Sequence, residues 1–198
     1  MIVLGSSSPY RRQLLNRLGV PFCHRSPAID ETPAPGESPE ATAQRLAEEK
    51  ARVVAEEFPA HLIIGADQVA CLRTSLIGKP LTHDRATAQL HAFSGQEVLF
   101  HTAVAVLDSA RSEIRSTVID TYIRFRQLTA AEIDSYLSLE KPYDCAGSFK
   151  AEGLGIALFE RLASEDPTAI IGLPMIALNH LLLHFGYNAM LKDRLPAD

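Results

Sequence analysis

Side chains suited to phosphate chemistry are spread along the first eighty residues: Arg11, Arg12, Lys50 and Lys79 supply cations, and Glu31 and Asp67 supply carboxylates. Cations offset charge on a transferred phosphoryl group. A carboxylate can hold Mg2+ or take a proton from water, so the set suits cleavage of a phosphoanhydride. Each member also has a plainer reading. The run Gly5-Ser6-Ser7-Ser8-Pro9-Tyr10-Arg11-Arg12 reads as a small-residue loop feeding a helix N-terminus, where free N–H groups and the helix dipole favour an anion. The same residues equally describe a serine-capped surface helix with solvated arginines. Lys50 falls within an apolar helical stripe, where it must snorkel, pair with an acid or face a polar cleft. Asp30 and Glu31 lie in a proline-bearing loop, where acids are commonly solvated. Asp67 follows Gly65-Ala66 between two apolar runs, at or near a strand end, a place used by ordinary turns and by active sites alike. Gly78-Lys79-Pro80 also fits a turn with an exposed lysine.

The whole chain narrows these readings. It contains no Walker A loop, no G-x-G-x-x-G, no H-E-x-x-H, no G-x-S-x-G and no acidic Nudix-type helix, so nucleotide chemistry here needs another arrangement. With 198 residues, 46% hydrophobic and 22% charged, the composition is that of a globular protein able to bury a core as one domain or two small associated lobes. A net charge of -5 opposes wrapping around a nucleic-acid polymer, whereas a small anionic ligand needs only local cations. Cys23, Cys71 and Cys145 form no paired motif, which points to a reducing compartment rather than to disulfides or zinc. Ile2–Leu4 is too short for a signal-peptide core and no segment has the length of a membrane span, so the expected location is the cytoplasm. A homodimer is the default expectation for assembly.

The elements that must position these residues follow from periodicity and caps. Ile2–Leu4 reads as a short buried strand, followed by a helix from Pro9 to about Leu18 with Ser8 as its cap and Gly19 as its stop. Ser26–Gly36 is a polar loop. A helix then runs from Pro39 to about Glu57, capped by Ser38, with Ala43, Leu46, Ala47, Val53 and Val54 on one face around Lys50. Beyond Asp67, Val69–Leu72 and Ile77 suggest a hairpin, and His83–Phe93 a helix ended by Ser94-Gly95. Glu97–Leu107 and Glu113–Phe125 read as long strands expected to pair antiparallel. Thr129-Ala130-Ala131-Glu132 is a capping box for a helix to about Leu139. The stretch 142–155 is loop, 156–162 a strand, and 174–185 a closing helix ended by Gly186. The alternation predicts a mixed α/β sheet.

At these residues the chain resembles the Maf-like nucleotide pyrophosphatases. The matching segments are S-S-S-P-Y-R-R-Q-L-L, D-E-T-P at Asp30–Pro33, E-E-K-A at Glu48–Ala51, G-A-D-Q at Gly65–Gln68, G-K-P at Gly78–Pro80, C-A-G-S-F-K-A-E-G at Cys145–Gly153 and G-L-P at Gly172–Pro174. They follow one another in order over essentially the whole chain, as a single domain over 1–198. The resemblance implies an α/β fold of the Maf/Ham1-like kind, a mixed twisted sheet flanked by helices with two lobes around a central substrate cleft. It also implies hydrolysis of a nucleoside triphosphate to monophosphate and pyrophosphate with a divalent cation, Mg2+ or Mn2+. By position, Asp67 becomes the general base, with Lys79, Glu31 and Lys50 beside it as catalytic residues. Glu31 and Asp67 become metal ligands, and Ser6, Ser8, Arg11 and Arg12 substrate contacts.

Three positions bear on the substrate. Gln68 and Glu152, where the dTTP and UTP branch has Thr and Gln, are similar to the branch associated with 7-methyl-GTP, and Tyr10 is the third discriminating position. N7-methylation makes guanine cationic, which favours an aromatic face and a carboxylate, and Gln68 can read a base edge through hydrogen bonds. Tyr10 also reads as a packing aromatic and Glu152 as a solvated loop acid. On this resemblance Asp67 and Gln68 stand side by side at a strand end, one for chemistry and one for base choice. The alternatives are a pyrophosphatase for dTTP, UTP or a deaminated purine triphosphate, and a nucleotide-binding regulator of division and septation.

Overall fold

Ile2-Val3-Leu4-Gly5 forms strand β1, and all four residues are buried because β1 has a parallel neighbour on each edge. The structure is a computed structural model that describes residues 1–73 and 75–191. After β1 come α1 (Pro9–Asn16), β2 (Phe22–Arg25), α2 (Pro39–Ala55), β3 (Leu62–Leu72), β4 (Ser75–Ile77), α3 (His83–Phe93), β5 (Glu97–Asp108), β6 (Glu113–Phe125), α4 (Ala130–Glu140), a 3-10 helix (Leu154–Leu158), β7 (Phe159–Ser164), a 3-10 turn (Ala169–Ile171) and α5 (Met175–His184). Among the described residues the sheet has seven strands in the order β2-β1-β3-β5-β6-β7, with β4 paired to β3. Parallel β2-β1-β3 pairing and antiparallel β3-β4 and β6-β7 pairing make it a mixed sheet, as the sequence predicts.

By packing, the chain divides into two compact units. One holds Met1–Gln68, Thr102–Ile119 and the described residues from Asp166 onward; the other holds Val69–His101 and Asp120–Glu165. In the first unit the strand alternation sorts the core into two layers. Ile2, Leu4, Ile64, Ala66, Val104 and Val106 pack with Leu14 and Leu15 of α1 and Leu178 and Leu182 of α5. Val3, Ile63 and Leu107 pack on the other face with Ala51 and Val54 of α2. Both faces of these strands are therefore covered, which explains their nearly continuous apolar runs. In the second unit, Phe93, Phe125, Phe149 and Phe159 pack ring to ring with centroids 5.0–5.8 Å apart. That geometry favours edge-on and tilted contacts.

Several elements depart from expectation. Strand β2 is absent from the sequence reading, since Phe22-Cys23-His24-Arg25 has only two apolar residues and is fixed by its register on β1, Phe22 opposite Ile2 through Arg25 opposite Gly5. The strand expected over 156–162 begins instead at Phe159, because Leu154–Leu158 winds into a 3-10 helix. A Cβ on Gly155 would lie 2.3 Å from the Lys150 carbonyl oxygen, so the turn closes too tightly for an extended start. On α2, Val53 is turned outward at 36% exposure, while Ala51 takes its place in the core.

Candidate active site

The decisive local feature is how β3 outruns its neighbour. It pairs with β1 from Leu62 to Gly65, where β1 ends at Gly5, and continues unbroken to Leu72. Asp67 is therefore not at a strand end, which corrects the sequence reading. It sits inside an eleven-residue strand, two residues past the last β1 partner. Past Gly65 the neighbour of β3 on that side is no longer β1 as a strand, since β1 ends at Gly5.

The same alternation separates the two adjacent polar residues. Ile63, Gly65 and Asp67 face α2, whereas Ile64, Ala66 and Gln68 face the layer of α1 and α5. Asp67 and Gln68 are thus on opposite faces of β3 and not side by side.

On the α2 face, Gly65 permits an approach no other residue allows. A Cβ there would lie 2.0 Å from the Ala47 carbonyl oxygen and 2.9 Å from Ala51 N. This contact seats α2 so that Lys50 reaches β3. Lys50 Nζ lies 2.5 Å from Asp67 Oδ1 and 2.6 Å from Glu31 Oε1. Its side chain is 7% exposed, against 10% for Asp67 and 59% for Glu31. Burying a lysine is costly unless it is paired and hydrogen-bonded, and here two carboxylates pair with it. Replacing Gly65 with Ala should force α2 away from β3, lowering stability by about 1–3 kcal/mol or more and separating Lys50 from Asp67. Urea unfolding together with turnover checks this; an unchanged midpoint would mean that α2 is not held by this contact.

Residues after β1 complete the site from the side. Ser8 caps α1, accepting from the Arg11 amide at 3.4 Å, and donates its own N–H to Ser6 Oγ at 3.1 Å. Arg11 does not extend into solvent. Its Nε donates to the Gly172 carbonyl at 2.7 Å and its Nη1 to Ser6 Oγ at 3.4 Å. Burial pushes the Arg11 guanidinium down from its ordinary pKa, and the Asp67 and Glu31 carboxylates act against that shift. A partly buried cation supported by the same two acids that hold Lys50 marks one connected electrostatic cluster.

The structure therefore brings together Ser6, Ser8, Arg11, Glu31, Lys50 and Asp67. Arg12, by contrast, turns to His24, its Nη1 3.1 Å from His24 Nε2. Tyr10 is partly buried on α1. Gln68 commits its amide nitrogen to Thr102 Oγ1 at 2.9 Å and to the carbonyls of Ala169 at 3.0 Å and Ile170 at 3.3 Å. Lys79 and Glu152 belong to the second unit and are exposed there. The Lys79 loop is tied to α3 by the Gln89 amide donating to the Gly78 carbonyl at 3.0 Å.

Among the described residues, no group of three or more His, Cys, Asp or Glu side chains is arranged to hold a metal ion. Glu31 and Asp67 share Lys50 through one oxygen each. Such a pair of acids fits a hard cation that takes its remaining ligands from phosphates and water, as Mg2+ commonly does. It does not fit zinc, which favours His and Cys.

The profile of a family described as Maf-like protein matches residues 1–185. The chain belongs to the Maf-like family. A protein described as 7-methyl-GTP pyrophosphatase from Cupriavidus metallidurans is 54% identical over 186 residues, 94% of each chain. A protein of the same description from Nitrosococcus oceani is 53% identical over 186 residues, again 94% of each chain. Another, from Methylobacillus flagellatus, is 51% identical and covers 96% of this chain and 98% of its own. Among solved structures, a HAM1 protein from Coxiella burnetii is 20% identical with a TM-score of 0.45, covering 79% of this chain and 97% of its own. At that level the likeness carries no weight for fold or function.

Sequence reasoning about this Maf-like protein missed the supports of the site. Gly172 entered only as part of a motif, yet its carbonyl holds Arg11. Thr102, inside an apolar strand, gave no signal at all. Asp166 and Thr168, which accept from the first amides of α5, could have been found from Pro174: proline at the N-cap position itself offers no side-chain acceptor, so those amides need remote ones.

Proposed function

We propose that this Maf-like protein is a single-domain hydrolase that converts 7-methyl-GTP to 7-methyl-GMP and pyrophosphate. The observation that carries the reaction class is the Lys50 ammonium joining Glu31 and Asp67, with Arg11 in the same cluster. The descriptions of relatives at 51–54% identity supply the substrate.

In this reading water attacks the α-phosphorus, Asp67 takes one of its protons, and the bond from the α-phosphorus to the bridging oxygen breaks with pyrophosphate leaving. Lys50 fixes Asp67 on one oxygen and leaves the other to receive the proton. Arg11 uses Nε and Nη1 for its anchors, which leaves Nη2 for a phosphate oxygen. Ser6 and Ser8 border the phosphates, Arg12 reaches them only by leaving His24, and Lys79 keeps the cationic role that the family resemblance gives it. Glu31, and Asp67 where it serves as a ligand instead of as the base, would hold a divalent cation, Mg2+ or Mn2+, which would supply neutralisation of phosphate charge. Tyr10 and Glu152 favour the cationic 7-methylguanine, and Gln68, with its amide nitrogen occupied, offers Oε1 to a base donor. No described helix is long and apolar enough to cross a membrane; a cytoplasmic location and a homodimer complete the proposal.

The test is purified protein with Mg2+ or Mn2+ against 7-methyl-GTP, GTP, UTP, dTTP and ITP, scoring pyrophosphate separately from phosphate. The expected result is pyrophosphate release with the highest kcat/KM for 7-methyl-GTP. Faster UTP and dTTP cleavage would overturn the substrate, and binding without turnover of any nucleotide would favour the regulator.

A further inference from the structure

Helix α5 begins with an unusual closure. Its N-cap is Pro174, which offers no side-chain acceptor. The first three helical amides are satisfied from upstream: Met175 N–H donates to Thr168 Oγ1 at 2.8 Å, and Ile176 and Ala177 N–H donate to Asp166 Oδ2 at 2.6 and 3.2 Å. The other carboxylate oxygen, Oδ1, accepts from Thr168 N–H at 3.0 Å. Thr168 Oγ1 lies 2.7 Å from Asp166 Oδ1 and 3.0 Å from the Leu173 carbonyl, so its one proton serves either acceptor. Asp166 is 1% exposed. A buried carboxylate with this many donors, set at the positive end of a helix, is a fixed point.

What it fixes is the segment 168–174, and the carbonyls of that segment hold two candidate site residues. Ala169 and Ile170 accept from the Gln68 amide, Ala169 also accepts from Thr102 Oγ1 at 3.1 Å, and Gly172 accepts from Arg11 Nε. Gly172 has φ +108, where a side chain is strained, and a Cβ there would stand 3.3 Å from Arg11 Nε. The carbonyl can meet the guanidinium only with this backbone shape.

We propose that Asp166, with Thr168, is a positioning residue that sets Arg11 and Gln68 for the substrate through the 168–174 segment. It rests on the pyrophosphatase reading above for what the two residues then do. One clamp thus serves a phosphate-facing cation and a base-facing amide, so loosening it should affect rate and substrate preference together. A merely structural role would lower the folded fraction and scale all substrates alike.

The experiment compares Asp166→Asn, Thr168→Val and Thr168→Ser with the wild type, below each melting temperature and normalised to folded protein. Side-chain 15N spectra follow the Arg11 Nε–H and the Gln68 amide, assigned by Arg11→Lys and Gln68→Glu. Asp166→Asn and Thr168→Val should lower kcat/KM for 7-methyl-GTP by about 10- to 100-fold, as expected for a small misplacement of substrate contacts. They should also narrow its preference over UTP, and shift both side-chain signals with faster proton exchange. Thr168→Ser, which keeps the hydroxyl, should stay near wild type. If Asp166→Asn does not fold, the two Thr168 variants carry the comparison. Unchanged signals and an unchanged preference ratio in the folded variants would overturn the proposal. If the wild type cleaves none of the nucleotides while the signals still move, the pyrophosphatase reading fails and the clamp stands.

Discussion

Asp67→Asn should lower kcat by about 10²- to 10⁴-fold, the usual range for loss of a general base, while the protein remains folded. The amide keeps the size of the carboxylate and can still accept from Lys50, whose charge stays paired with Glu31 at 2.6 Å. What it loses is the ability to take a proton from water. The hydrogen bonds that hold Arg11, from Nε to the Gly172 carbonyl and from Nη1 to Ser6 Oγ, do not involve Asp67, and Glu31 still supports its charge, so KM should change less than kcat. The measurement is single-turnover release of pyrophosphate, with urea unfolding as the control for folding. A metal titration separates two roles for the same residue. If Asp67 acted chiefly by holding a cation, raising Mn2+ would restore much of the rate; if it acts as the base, saturation with metal leaves the deficit. Turnover within a few-fold of wild type would remove Asp67 from the reaction.

The helices and the hairpin were legible in the sequence because their determinants are local. Ser8, Ser38 and the Thr129–Glu132 capping box stand where the caps occur, and the hairpin expected from Val69–Leu72 and Ile77 forms, with Ala70 opposite Ile77 and Leu72 opposite Ser75. The features that were missed depend on distant partners. Strand β2 exists through register on β1, and Asp67 lies mid-strand because β3 continues beyond the point where β1 stops and pairs with β4 at Ala70–Leu72. The opposite placement of Asp67 and Gln68 follows from strand alternation alone, once the strand is known to be continuous.

The candidate site was legible as a set of residue types, with its membership given by the family resemblance and its geometry hidden. No spacing rule joins Lys50 to Glu31 and Asp67, nineteen and seventeen positions away by the numbering. Gly65 was quoted for its motif, yet its physical reason is the 2.0 Å approach to Ala47 that only the packed helix reveals. Likewise the serine loop looked like an open anion site. In the structure Ser6 Oγ already accepts from the Ser8 amide and from Arg11, so the loop is internally bonded before any ligand arrives.

Lys50→Met should cost both activity and stability, and the two losses should be separable. Without the ammonium, Asp67 keeps a nearly buried negative charge with Glu31 as a like-charged neighbour. Removing one partner of a buried pair costs about 3–5 kcal/mol. The low end applies here, because Glu31 is 59% exposed and water screens its share. Turnover should fall by at least about 10²-fold, since Asp67, the proposed base, is no longer held in place. Lys50→Arg should not rescue it, because a planar guanidinium does not reproduce a compact ammonium between two acids. Pairing Lys50→Met with Asp67→Leu removes both buried charges, an exchange that is often neutral for stability. The double variant should therefore unfold near the wild-type midpoint yet show no turnover. Urea unfolding at neutral pH reads the stability side. A single variant as stable as wild type at neutral pH would show that Lys50 does not compensate the Asp67 charge, and the electrostatic account of the site would fall with it.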